Sequence, residues 1–484
     1  MTRYISTGSA ALAALFALAA CGGAQTAPTG PDISALPLDR PPPEATPWLP
    51  PFPPGVEEQL PNGLTVVVHA MPGTGTASVA LGMPGGMSAE PADKIGVSDV
   101  AVDALALGVP GKDAKSLAEE VERLGSTIEF ECGADECDGS AEGLSRNLGP
   151  TLALMADMVI RPTFPEDEVR RLKAEMVTGL SYTDTLPRVA GTRLVRRLLY
   201  GDHAYSRCWP TAAGVQALTR DDVVTFHRRY ITPRGAVLAI AGDVVPEEAL
   251  ALARAAFASW EAPLPPGEPV QAPEPLGADP AIHVVDRPGS PQSVVFVAHR
   301  ALPRPSPEFL DWRAANEVLG GGAARRLFLD LREKRGLTYG AYSSLETQRL
   351  GGYQVAGADV RNEKAGEAIQ AILEHIARIR TEPIPEAELR EATRSIAGAF
   401  ALDFDNPSVV AGYVLRQRLL DLPEDEWTTY STRLQAVTQE AALAAAQAAW
   451  SDEGIRIVVV GDAAALRPVL EPLGRPIVVE PAKP

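Results

Sequence analysis

The chain has 484 residues and a formal net charge of −18, from 62 acidic and 44 basic side chains. That balance lacks the basic footprint that nucleic-acid binding requires. Hydrophobic residues make up 45% and charged residues 22%, as in a globular protein, and the length exceeds what one core supports, so two or more domains are expected.

Residues 1–21 read as a targeting segment. Arg3 supplies a short basic region, and "ALAALFALAA" is an apolar stretch too short to span a bilayer. Leu18-Ala19-Ala20-Cys21 resembles a bacterial lipobox, in which Cys21 becomes the lipidated first residue of the mature protein. The acyl chains would hold the protein at a membrane of the cell envelope, its body facing the periplasm, without threading it through the bilayer. Residues 22–55, including "PDISALPLDRPPPEATPWLPPFPPG", carry too much proline to fold as a domain and read as an extended tether.

The stretch "GVSDVAVDALALG", Gly96 to Gly108, reads as the start of an apolar helix with Asp99 and Asp103 stacked four apart on one face. The pair is expected to be a solvated or salt-bridged acidic face; as metal ligands, carboxylates suit magnesium, calcium or manganese better than zinc. The six histidines are His69, His203, His227, His283, His299 and His375. No two lie three to five apart, so no paired-histidine zinc helix exists, and His203 in "GDHAY" reads as a packing residue. Cys132 and Cys137 flank a turn in "IEFECGADECDG". They form either a cross-hairpin disulfide or two thiols, and spacing leaves this open. Cys208 has no obvious partner.

A second proline-rich stretch, "EAPLPPGEPVQAPEPLGADP" at residues 261–280, separates a first domain, 56–260, from a second, 281–480. The two resemble each other. "FPEDEVRRLKAE" and "IPEAELREATRS" are matching helix starts, with Pro165 and Pro385 shifted by 220. "ALTRDD" at Ala217 matches "AVTQEA" at Ala436, and Gly242-Asp243 matches Gly461-Asp462, each shifted by 219. Repeated matches at one offset indicate duplication. Each copy opens with apolar strands, continues in amphipathic helices and closes with a helix and a strand ending in Gly-Asp. The fold class is therefore α+β: two homologous domains, each with helices packed on a mostly antiparallel sheet. The run Gly320-Gly321-Gly322 contains no phosphate-loop lysine and reads from composition as a helix cap and turn.

This duplicated unit, with "LTRDDVVTFHRRYITPRGAVLAIAGDV" and "EVLGGGAARRLFLDLREKRGLTYGAYS", resembles the pitrilysin/insulinase (inverzincin) metallopeptidase family from about residue 56 to 480. The family carries H-x-x-E-H on the first long helix: two histidines bind zinc and the glutamate is general base. On this chain the resemblance places the first histidine at Asp99, the glutamate at Val102 and the second histidine at Asp103. A downstream glutamate ligand falls on Glu175, seven residues after Glu168. Valine has no lone pair and cannot accept a proton from water, so no catalytic residue is expected in the first domain and no metal on this chain. The resemblance further implies that Arg332 and Tyr339, seven apart in "LREKRGLTY", bind substrate or stabilise an oxyanion, and that Gly320-Gly321-Gly322 lies at an inner sheet edge where extended substrate pairs by strand addition. Some family members divide the peptidase between two chains, one holding zinc and the other supplying the arginine and tyrosine. This chain is expected to be the second kind: a lipid-anchored subunit that pairs with a zinc-bearing homologue and meets unfolded peptides. A peptide-binding scaffold, or a metallopeptidase using the three carboxylates, are the alternatives.

Overall fold

A computed structural model describes residues 51–480, so Cys21, the targeting segment and most of the proline-rich tether lie outside the described residues. The first half runs β1 (Gly55–Gln59), β2 (Thr65–Ala70), β3 (Thr76–Pro84), α1 (Val97–Asp103), the short pair β4 (Gly108–Val109) and β5 (Lys112–Asp113), α2 (Ala114–Leu124), β6 (Thr127–Cys132), β7 (Glu136–Leu144), α3 (Leu148–Ile160), α4 (Glu166–Thr183), α5 (Pro187–Tyr200), α6 (Ala212–Ala217), α7 (Arg220–Tyr230), β8 (Val237–Gly242) and α8 (Pro246–Phe257). No helix or strand interrupts residues 261–280. The second half runs β9 (Ile282–Asp286), β10 (Gln292–Ala301), α9 (Phe309–Gly320), α10 (Arg326–Phe328), β11 (Thr338–Gln348), β12 (Gly351–Arg361), α11 (Ala365–Thr381), α12 (Glu386–Leu402), α13 (Pro407–Leu419), α14 (Glu426–Gln435), α15 (Gln439–Ala449), β13 (Arg456–Gly461), α16 (Ala463–Leu470) and β14 (Ile477–Glu480).

Each half forms a six-stranded sheet, ordered β1-β2-β8-β3-β7-β6 and β14-β9-β13-β10-β12-β11. In both, the strand ending at the shared glycine (Gly242 or Gly461) runs parallel to the opening strand and antiparallel to the next. Five of the six positions therefore repeat, and only one edge strand differs: β1 is antiparallel to β2, whereas β14 is parallel to β9. Antiparallel pairs predominate, and helices cover the sheets, giving the α+β class.

The halves are clasped by exchanged helices, an arrangement the sequence reading did not anticipate. Leu194, Val195 and Leu199 of α5, in the first half, pack on Val294, Phe296, Val458 and Val460 of the second sheet. Val410, Val414, Leu415 and Leu419 of α13, in the second half, pack on Val67, Val237 and Ala239 of the first. The swap explains why β8, "VLAIAG", and β13, "RIVVVG", are buried at every residue: each has helices on both faces. Burying one Leu or Val side chain contributes about 1.5–3 kcal/mol, so some seven such residues far outweigh the surface ion pairs at the seam. Polar contacts set the register. Tyr200 Oη donates to Gly352 O at 2.6 Å, and Asp135 accepts from Tyr205 Oη at 2.6 Å and from Arg349 N at 2.8 Å. Asp135 sits at the hairpin tip closed by a Cys132–Cys137 disulfide, which settles the state of those cysteines. Cys208 is a buried free thiol whose pKa burial pushes up to about 12. Among the described residues no helix is long and apolar enough to cross a membrane.

Candidate functional site

The N-terminus of α1 is tied down by Glu90. Its buried carboxylate accepts from Gly96 N at 2.9 Å, Ser98 N at 2.8 Å and Ser98 Oγ at 2.6 Å, satisfying donors that a helix start leaves free. Gly96 holds the entry at φ 92°, a left-handed conformation that glycine adopts without strain. This sets Asp99, Val102 and Asp103 on one short helix. Val102 is 1% exposed and packs in the first half's core with Val100, Leu105 and Leu107. The position that the resemblance gives to a general base is thus a core position.

Asp99 departs from the expected wet or salt-bridged face. Its Oδ2 is buried and has no hydrogen-bond partner. Burial, then the charges of Glu90 and Asp103, push its pKa up to about 7. Val97, Val100, Ala101 and Val102 draw the helix into the core and take Asp99 with it. Asp103, one turn on, is exposed, and partial burial raises its pKa. Glu175 lies on α4, with a side chain 61% exposed and bound to Arg171 Nη1 at 2.6 Å; the same arginine also holds Glu168 at 2.9 Å. Among the described residues no three His, Cys, Asp or Glu side chains form a group able to hold a metal ion. Asp99, Asp103 and Glu175 therefore do not stand as one ligand group in this structure: Glu175 is engaged by Arg171, and Asp99 Oδ2 is buried without a partner. Nor do the residues present fit zinc, because a core valine and an orphaned acid replace its base and a ligand.

In the second half, α10 runs into a π-helical turn at Leu329–Lys334. Asp330 is buried beneath that turn. Burial alone would raise its pKa, but Arg335 Nε at 2.9 Å and His375 Nε2 at 3.0 Å more than offset this and lower it. Gly336, at φ 63°, then reverses the chain into β11. Arg332 rides the π-turn, with its guanidinium 4.8 Å from the Phe328 ring centroid and Nε 3.4 Å from Glu333. Tyr339 is 91% exposed at the start of β11. Phe328 and Tyr339 line a cleft of about 490 Å³, together with Gly320-Gly321-Gly322, Tyr342, Asp359 and Arg188; Arg332 is outside its lining. A side chain at Gly320 would stand 2.6 Å from Ser343 N, so α9 can lie against β11 only with glycine there. His203 is held locally: its Nδ1 accepts from Tyr205 N at 3.1 Å, its Nε2 bonds Gln271 O at 2.7 Å, and its ring lies against Tyr200 and Tyr205. Sequence reasoning missed Arg188. The signal was present, because Ser408 occupies the matching position of the repeat.

A phenol exposed at a cleft edge is a hydrogen-bond donor for a ligand lying across it, whereas in the first half Val102 is buried and, among the described residues, no three His, Cys, Asp or Glu side chains group as metal ligands. Residues 217–396, from α6 into α12, match the family model described as "Peptidase M16 inactive domain". An uncharacterized zinc protease of Mycobacterium leprae is 27% identical over 352 residues, covering 72% of this chain and 78% of that protein. One of Bacillus subtilis is 21% identical over 351 residues, covering 71% and 83%. Among solved structures, a peptidase M16 inactive domain from Pseudomonas fluorescens superposes with TM-score 0.79 at 25% identity, covering 84% of this chain and 98% of that one. A protease from Helicobacter pylori gives 0.77 at 21% identity, covering 86% and 100%. Residues 217–396 thus match the inactive domain of M16 peptidases, and the chain as a whole is similar in sequence and fold to zinc proteases and to M16 inactive domains, in line with the resemblance read from its sequence.

Proposed function

We propose that this chain is the non-catalytic subunit of a two-chain zinc peptidase, lending substrate-binding groups to a zinc-bearing homologue that hydrolyses unfolded peptides. The observation that carries this reading is the contrast between the halves: Val102 is sealed in a core while Tyr339 stands 91% exposed at a cleft. The phenol of Tyr339 donates a hydrogen bond to the carbonyl oxygen of a bound peptide, more strongly as that oxygen gains negative charge, and the Arg332 guanidinium adds a permanent positive charge nearby in sequence. Water activation belongs to the partner. The lipobox-like Leu18-Ala19-Ala20-Cys21 supports a lipid-anchored location in the cell envelope.

The test is reconstitution with a zinc-bearing homologue encoded beside it. The chain alone is expected to leave peptides intact and the pair to cleave them. Tyr339→Phe should lower kcat about 10–100-fold, and Arg332→Ala should lower kcat/KM by a similar factor, the range for removing one transition-state donor. Full activity of the pair with both substitutions would leave a peptide-binding scaffold as the better reading. Proteolysis by the pure single chain would refute the proposal outright.

A further inference from the structure

Tyr339 sits on a β-bulge. Thr338 pairs with Val360 and Ala341 with Ala358, so Tyr339 and Gly340 together oppose the single residue Asp359. Thr338 Oγ1 donates to Asp359 O at 2.7 Å and accepts from Gly340 N at 3.1 Å, which closes the bulge locally. Bulges re-aim side chains, and this one turns the phenol outward. β11 is the edge of its sheet, so no further strand restrains it.

One residue from the other half does. Arg188, the second residue of α5, donates from Nη2 to Asp359 Oδ2 at 2.7 Å and from Nη1 to Tyr342 Oη at 2.5 Å. Its guanidinium carbon lies 5.3 Å from the Tyr342 ring centroid and 6.0 Å from that of Phe296. The fork thus grips both strands at the bulge: Asp359 opposite it, Tyr342 just after it. The pair is half-exposed, so its contribution to stability is small, about 0–1 kcal/mol. Docking of the helix does not require it either, because α13 carries Ser408 in the corresponding position and docks equally. What the fork fixes is geometry, since planar bidentate donors restrict orientation more than they add energy.

We propose that Arg188 is a positioning residue through which the first half sets the direction of Tyr339. Its significance for catalysis rests on the function proposed above; its effect on the bulge does not. The degenerate first half is then retained because it holds the second half's working segment.

Amide hydrogen exchange of the full chain decides the structural claim. In Arg188→Ala, exchange at Tyr339–Tyr342 should accelerate at least tenfold while the amides between β10 and β12 keep their rates. Arg188→Lys, with one ammonium in place of a fork, should fall between. Unchanged rates at the bulge, or equal acceleration throughout the sheet, would overturn the proposal. In the reconstituted pair, Arg188→Ala should lower kcat about tenfold with KM within twofold, and should add nothing in a Tyr339→Phe background; additive losses would overturn it as well. If the pair shows no activity, or none that depends on Tyr339, the function reading fails while the exchange result still decides Arg188.

Discussion

At the scale of single residues, α1 sets a stabilising and a destabilising side chain on one short helix. Val102 is buried in the first half's core, whereas Asp99 remains as a cost. A carboxyl whose folded pKa is raised from the ordinary 3.8 to about 7 holds its proton in the folded state and loses it in the unfolded state between those values. Stability therefore falls as pH rises from about 4 to 7 and is level above. Asp99→Asn should be more stable than the natural chain by about 1–4 kcal/mol at pH 8, with the difference gone by pH 4. Urea midpoints at the two pH values measure this. An advantage that grew toward acid would contradict the burial seen for this side chain. The absence of histidine pairs was plain in the sequence, and so was the valine. That Asp99 is buried was not, because an i, i+4 pair of acids reads the same on a wet face as on one pulled inward by its apolar neighbours.

At the scale of elements, the exchanged helices decide the packing. α5 approaches the second sheet so closely that a Cβ on Gly191 would lie 2.2 Å from Phe296 Cε2. Gly82 on β3 is as constrained by α13, its Cβ falling 2.5 Å from Leu419 Cδ1 and 2.6 Å from Leu415 Cδ1. Gly191→Ala should favour the isolated helix slightly yet destabilise the protein by about 1–3 kcal/mol, because overpacking at the seam outweighs propensity. A lower urea midpoint with an unchanged m-value is the expected result; a raised midpoint would mean that the seam can relax. Both prolines that open these helices, Pro187 and Pro407, were visible at the repeat's spacing of 220. Which sheet each helix covers was not, because an apolar stripe states only that it must be buried and leaves its partner open.

For the whole molecule, an apolar core in each half and the exchanged helices between them hold the fold together. With no three-residue ligand group among the described residues, chelator treatment of the purified chain should move Tm by less than about 1 °C, whereas a metalloprotein loses the whole binding contribution. Calorimetry with and without chelator checks it. The sequence by itself determined the repeated pattern and the α+β class, both properties of residue type and spacing along the chain: periodic apolar positions and a constant offset. That Val102 stands where a general base would is what the family resemblance implies. Only the tertiary structure decided that each half borrows a helix from the other, that the hairpin cysteines are joined, and that Arg188 reaches the strand carrying Tyr339. Those contacts join residues about 150 or more positions apart, or depend on angles and distances, and local patterning of side chains carries no information about which distant surfaces will meet.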